Sequence, residues 1–317
     1  MKVSLGFFWV APLKPPFVLS LFVAMSPLSN FSAFAPTFQT AKALHLAIVA
    51  HLTPVYEPRE AENIAYWLLE KMYALKRWDI WEKITFSEAQ NQWLTQAVLR
   101  LQAGEPLQYI LGTADFYGLK LKVSPAVLIP RPETEELLDL ILEKEKTAQP
   151  LRILDIGTGS GAIAIALAKN LPTAEVWAID VSQAALQVAR QNAQEVGAKV
   201  YFQLANILTA QAKDFPTFDV MVSNPPYIPE NEREQMPLSV TEHEPALALF
   251  VPKGQPLLFY EKIAQFDALA KGGRLYFEVH ERHAQGVFDA LVERAFSDCH
   301  IQMDMQEKPR IVWGRKK

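Results

Sequence analysis

Leu151-Arg-Ile-Leu-Asp-Ile-Gly-Thr-Gly-Ser-Gly161, continued by Ala162-Ile-Ala-Ile-Ala-Leu-Ala168, is the stretch on which the fold turns. The apolar run 151–156 reads as a buried strand, the alternate glycines at 157, 159 and 161 as a tight turn, and the run closed by Pro172 as a helix. Such a turn lets the backbone approach a ligand closely while the helix packs back onto the sheet. The spacing is Gly-x-Gly-x-Gly, and no Lys-Ser/Thr pair follows, which excludes a P-loop. A second strand, Ala174-Glu-Val-Trp-Ala-Ile179, ends in Asp180. That is about 20 residues beyond the loop, where a carboxylate can accept both hydroxyls of a ribose.

Dinucleotide dehydrogenases ask for the same acidic residue, so the choice rests on a later strand. Phe218-Asp-Val-Met-Val-Ser223 runs out into Asn224-Pro-Pro-Tyr227. Two consecutive prolines hold the backbone extended and remove two N–H donors, leaving carbonyls beside the Asn224 side-chain oxygen. Acceptors without donors suit an NH2 group, and Tyr227 offers a flat face to a planar amide or base. Such a loop has no part in hydride transfer. It has one in moving a methyl group from S-adenosylmethionine to a planar nitrogen, so an N-methyltransferase is the expected reaction class. The Asn224 oxygen and the Pro225 carbonyl are expected to accept the two N–H bonds of the target.

Composition bounds the reading. The chain has 317 residues, 50% of them hydrophobic and 21% charged, which suffices for one large domain and a small one. A net charge of -4 argues against an extended phosphate-binding surface. A single cysteine, Cys299, excludes an internal disulfide framework and a multi-cysteine metal site and suits a reducing compartment. No histidine pair has metal-ligand spacing; His280 and His283 read as solvated or helix-capping. In Met1 to Thr37, Pro12, Pro15 and Pro16 interrupt the apolar runs, so no span of ~20 apolar residues exists. This segment is expected to be a loosely ordered extension or to precede the true start at Met25 or later, against a signal peptide built on Lys2 and Val18 to Ala24.

Ala41, Leu44, Ile48 and Leu52 share one helical face; Ile64, Leu68, Met72 and Leu75 share another, with Pro58 placed to begin that helix. Ser87-Glu-Ala-Gln90 has capping-box spacing ahead of Leu94, Val98 and Leu101, with Gly104 as the stop. Asp115 to Val123 alternates around Tyr117-Gly118 as a hairpin. Helices are expected from Pro132 through Leu142, from Ser182 to Gly197 and from Leu257 to Leu269. Further strands are expected at Val200 to Leu204 and Gly272 to Val279, with a closing hairpin of Ile301 to Met305 and Arg310 to Trp313. This alternation implies a parallel α/β sheet with helices on both faces. The expected organisation is an extension over 1–37, a helical substrate-docking domain over 38–113, a linking β-hairpin over 114–124 and a methyltransferase domain over 125–317.

Five segments carry a resemblance: Gly104-Glu-Pro-Leu-Gln-Tyr-Ile-Leu-Gly112, Leu128-Ile-Pro-Arg-Pro-Glu-Thr-Glu135, Asp155-Ile-Gly-Thr-Gly-Ser-Gly161, Asn224-Pro-Pro-Tyr227 and Glu244-Pro-Ala-Leu-Ala-Leu249. In order and spacing they resemble the HemK/PrmC protein-(glutamine-N5) methyltransferases, which methylate the glutamine of the Gly-Gly-Gln motif in peptide chain release factors. The resemblance implies a Rossmann-like class I S-adenosylmethionine-dependent sheet with a small N-terminal helical bundle. It implies that Gly157, Thr158, Gly159, Ser160 and Gly161 wrap the methionine end of the cofactor and that Asp180 binds its ribose. Asn206 and Ile207 fall beside the adenine, where this chain departs from the family's usual Asp and aromatic residue. Asn224, Pro225, Pro226 and Tyr227 would hold the target amide, with Asn224 also next to the cofactor. A cytoplasmic enzyme with release factors as partners, no metal, no membrane and no nucleic-acid substrate is implied. Asn-Pro-Pro-Tyr is shared with adenine-N6 methyltransferases of DNA and RNA. That substrate, a ribosomal-protein glutamine, and a catalytically silent release-factor adaptor stay open as alternatives.

Overall fold

The computed structural model describes residues 40–317 apart from 77, 78, 80, 86, 147 and 148, so the expectations for 1–37 lie outside the described residues. The chain forms two compact units, divided after Leu111, with Pro237–Ser239 grouped with the first.

The first unit is built from α1 (Ala41–Leu52), α2 (Pro58–Tyr73), α3 (Glu88–Gln102) and a short α4 (Leu107–Leu111). Each start follows from local chemistry. Thr40 Oγ1 accepts the Ala43 N–H at 3.3 Å, Pro58 occupies the first turn of α2, and Ser87 and Gln90 close both halves of the capping box at 3.2 and 2.9 Å. Leu44, Ile48, Leu52, Ile64, Leu68, Leu94, Val98 and Leu101 form its core. The α2 periodicity overreaches at Leu75: Ala74 turns left-handed and stops the helix at Tyr73. The helix α4 was not anticipated.

The second unit opens with a hairpin, β1 (Thr113–Phe116) and β2 (Leu119–Lys122), whose turn residues Tyr117 and Gly118 both have positive φ (49° and 73°), matching the twist of the strands. The hairpin is pinned to the sheet domain, because the Asn192 side chain bonds both the N–H (2.7 Å) and the carbonyl (3.0 Å) of Lys122. There follow α5 (Glu133–Lys144), β3 (Arg152–Ile156), α6 (Ala162–Asn170), β4 (Glu175–Asp180), α7 (Gln183–Val196), β5 (Val200–Leu204) and β6 (Phe218–Ser223). After short β7 (Ile228–Pro229), α8 (Leu238–Thr241), α9 (Ala246–Leu249) and β8 (Phe250–Val251) come α10 (Leu258–Ala264), β9 (Leu269–Glu278), α11 (Ala284–Glu293), β10 (Phe296–Met303) and β11 (Pro309–Lys316).

The central sheet has the order β10-β11-β9-β6-β3-β4-β5; β5, β4, β3, β6 and β9 run parallel, and β11 enters antiparallel between β9 and β10. Strand alternation divides the core between two faces. Ile153, Val220 and Val222 meet Leu137, Ile141, Ile163 and Leu167 on one face, while Leu154, Met221, Leu275 and Phe277 meet Tyr260, Ile263, Val287 and Leu291 on the other. Two expectations are corrected. The helix expected to Leu269 ends at Ala264, because Phe218 N–H bonds the Ala268 carbonyl and Leu269 pairs with Phe218 at the start of β9, which therefore begins before Gly272. The closing hairpin is longer than expected, with β10 starting at Phe296, and α11 was not read from the sequence.

Candidate active site

Sheet register assembles the site. Ile156 pairs with both Ile179 and Ser223, and Ser223 pairs with Phe277. The next residues on these four adjacent strands, Glu278, Asn224, Gly157 and Asp180, therefore form one row along the carboxyl ends. At ~4.8 Å per strand, Asn224 and Asp180 stand about 10 Å apart across the sheet. The chain reverses its order of strand addition between β3 and β6, and the crevice at such a switch point is where open α/β sheets bind ligands.

The glycine turn forms as expected. Gly157, Gly159 and Gly161 have φ of 76°, 55° and 83°, conformations costly for other residues. Their roles differ. A Cβ on Gly161 would stand 2.9 Å from Ile165 Cδ1 and 3.1 Å from Ala189 Cβ, so this glycine seats α6 against α7. A Cβ on Gly157 or Gly159 would meet nothing within 4 Å, so these two face open space. Thr158 turns inward, its hydroxyl donating to Asp155 Oδ2 at 2.6 Å; Ser160 is buried, and its carbonyl accepts from Asn192 Nδ2 at 2.9 Å. Asp155 also accepts the Ala164 N–H at 3.2 Å, while its Oδ1 has no hydrogen-bond partner among the described residues. Burial pushes the Asp155 carboxyl up to about 7 against the pull of Thr158 and Ala164.

Asp180 ends β4 with one oxygen accepting the Gly159 N–H and the other the Ser182 N–H, both at 2.8 Å. It thereby ties the turn to the start of α7, and burial raises its pKa despite those donors. Asn206 and Ile207 lie beyond the end of β5, beside Asp180. The Asn206 oxygen is taken by the Leu208 N–H at 3.0 Å, and Ile207 packs against the core.

On the other side of Gly157, Asn224 Nδ2 donates to Thr134 Oγ1 at 3.5 Å, and Thr134 donates to Glu278 Oε2 at 2.6 Å. Among the described residues nothing donates to Asn224 Oδ1 or to the Pro225 carbonyl, the two acceptors singled out from the sequence. Pro225 is buried, whereas Pro226 and Tyr227 are half-buried. The Tyr227 ring lies 5.7 Å from that of His280, and burial followed by the Glu278 charge pushes its hydroxyl up to about 12. His280 Nδ1 accepts the Arg282 N–H at 3.2 Å and caps a short turn, the helix-capping reading of the sequence. Arg131 bonds the buried Glu244 at 2.5 Å, and Ile129 N–H reaches the same carboxylate at 3.4 Å, so the Pro-Arg-Pro segment is anchored to the Glu244-Pro245 turn. Among the described residues no cluster of His, Cys, Asp and Glu could hold a metal ion, and no helix is long and apolar enough to cross a membrane.

Thr134 and Glu278 are the residues that sequence reasoning passed over. A signal was present: Glu278 is a carboxylate closing the apolar run Leu275-Tyr-Phe, and buried charge at the end of a strand marks functional sites.

A methyltransferase-domain family model matches residues 148–308, and a model of the PrmC N-terminal domain matches residues 50–112. The release factor glutamine methyltransferase of Bacteroides thetaiotaomicron is 41% identical over 269 residues, covering 84% of this chain and 96% of that protein. The protein of the same description from Flavobacterium psychrophilum is 40% identical over 273 residues, with coverages of 83% and 95%. That from Lactococcus lactis is 44% identical over 236 residues, with coverages of 73% and 84%. A class I methyltransferase sheet, a matching N-terminal domain and near full-length similarity place this chain in the release factor glutamine methyltransferase family.

Proposed function

We propose that this enzyme methylates the side-chain amide nitrogen, N5, of the glutamine in the Gly-Gly-Gln motif of peptide chain release factors, with S-adenosylmethionine as donor, in the cytoplasm and in support of translation termination. The observation that carries the reading is the pair of undonated acceptors, Asn224 Oδ1 and the Pro225 carbonyl, in one row with the glycine turn and Asp180. The turn fits the cofactor, because Gly157 and Gly159 leave open the space that side chains would fill. Residues 157–161 would hold its methionine end, Asp180 its ribose, and the Asn206-Ile207 turn would lie by its adenine. When bound, S-adenosylmethionine supplies a methyl group on a sulfonium, an electrophile.

An amide nitrogen is a poor nucleophile because its lone pair is delocalised into the carbonyl. Asn224 Oδ1 and the Pro225 carbonyl would accept the two N–H bonds of the glutamine, localising density on nitrogen and countering the positive charge that develops there. Tyr227 would hold the amide plane and exclude water. No strong general base is needed, since an N-methylated amide cation loses its proton readily.

The test is incubation of the purified enzyme with S-adenosylmethionine and a bacterial release factor, followed by tandem mass spectrometry. One added methyl on the Gly-Gly-Gln glutamine is expected. An unmodified release factor beside a methylated ribosomal protein or oligonucleotide would contradict the substrate.

A further inference from the structure

We propose that Thr134 and Glu278 are positioning residues that act as a hydrogen-bond relay, the ionised Glu278 fixing through Thr134 the orientation of the Asn224 amide and so making the enzyme responsive to pH. This rests on the reading of Asn224 as the acceptor of the target amide.

The geometry is directional. A carboxylate accepts only, so Thr134 spends its single hydroxyl proton on Glu278 at 2.6 Å and turns lone pairs toward Asn224. Only the NH2 side of the Asn224 amide can face those lone pairs, and Nδ2 does, at 3.5 Å. The oxygen is thereby turned away, available to a substrate N–H. Thr134 and Glu278 are both buried, at 4% exposure each, so water does not readily substitute for either. One proton taken from solvent by Glu278 reverses the chain. The acid then donates to Thr134, the Thr134 proton swings to Asn224, and only the Asn224 oxygen can receive it. The amide turns over and presents two N–H donors to an NH2 group.

The surroundings set Glu278 in a physiological range. Burial raises its carboxyl to about 7, opposed by the Thr134 donor and then by the Arg310 charge on β11. Glu133 at the start of α5 favours the proton and Arg131 opposes it. The Tyr227 and Tyr260 hydroxyls face the same carboxylate and are themselves raised, chiefly by burial. Tyr260 donates to the Glu278 backbone carbonyl at 3.2 Å and leaves the carboxylate to Thr134.

Two measurements on the full chain test the relay. With asparagine-selective 15N labelling, the Asn224 side-chain NH2 resonances, assigned by their loss in Asn224→Ala, should titrate between pH 5.5 and 8.5 with a midpoint near 7, and should be flat in Glu278→Gln. This needs no methyl acceptor, so it decides the relay even where the substrate assignment fails. In single turnover with saturating S-adenosylmethionine and release factor, the wild-type rate should fall about tenfold for each pH unit below 7. Glu278→Gln should lose that acid limb. Thr134→Val should lose it too and run at least tenfold slower, and Thr134→Ser should restore both. Unmoving Asn224 resonances, an acid limb that survives Glu278→Gln, or a Thr134→Val enzyme with the wild-type rate and profile would each overturn the proposal; should Glu278→Gln fail to fold, the Thr134 pair and the wild-type titration decide it.

Discussion

Placing a methyl group on each of two glycines in the same turn separates packing from ligand approach. Gly161→Ala puts a Cβ 2.9 Å from Ile165 Cδ1 and 3.1 Å from Ala189 Cβ at φ of 83°. Left-handed backbone costs an alanine about 1–2 kcal/mol, and overpacking adds about 1–3 kcal/mol, so a loss of about 2–5 kcal/mol is expected. Gly157→Ala carries the conformational cost alone, about 1–2 kcal/mol, because no atom lies within 4 Å of its Cβ. Urea unfolding followed by circular dichroism should rank Gly161→Ala below Gly157→Ala. Calorimetric titration with S-adenosylmethionine should show the Gly157 variant binding at least tenfold more weakly despite its milder destabilisation. A Gly161 variant as stable as the Gly157 variant would refute the described seating of α6 on α7. A Gly157 variant with near wild-type cofactor affinity would refute the assignment of that open space.

Asp180→Ala should raise the dissociation constant for S-adenosylmethionine by roughly tenfold or more, since it removes the proposed ribose acceptor and also frees the Gly159 and Ser182 N–H groups, while the rate at saturating cofactor stays within a few-fold; titration calorimetry and kinetics would show the split. Stability should fall as pH rises from 5 to 8.5. Asp155 and Glu278 are both raised to about 7 by burial, so each contributes stability that is complete below its unfolded value near 4 and lost as pH passes 7, on the order of 3 kcal/mol for each group. Asp304 has the opposite sign: the Lys308 and Gln306 N–H groups and Arg310 outweigh its burial, and its contribution is lost only at acid pH below the ordinary Asp range. Urea midpoints at pH 5 and 8.5 would check the direction, and Glu278→Gln should shrink the difference.

Much of this was legible from residue pattern. The glycine turn, the carboxylate ending the second strand and the Asn-Pro-Pro-Tyr exit of β6 are encoded locally, and the parallel alternation of strands and helices then determines which strand ends meet. Ser87 with Gln90, and Ser182 with Gly197, announced helix ends for the same reason: capping is a matter of a few adjacent residues. What escaped was non-local. Leu257 to Leu269 keeps an apolar character through Phe266 and Ala268, and only the pairing of Leu269 with Phe218 turns its end into strand. The link from Thr134 to Glu278 spans 144 residues, and that from Arg131 to Glu244 spans 113. Neither pairing has a periodicity that a single sequence displays. Thr134 sat in a segment whose prolines and glutamates already explained a helix start, which hid its second use.

The central claim is that the loop leaving β6 holds the target amide, and single-turnover methyl transfer by Asn224→Ala tests it most directly. With S-adenosylmethionine affinity verified as unchanged by calorimetry, transfer to the release-factor glutamine is predicted to slow by about 10²-fold or more, the scale of losing one preorganised transition-state hydrogen bond. A rate within a few-fold of wild type would contradict the account.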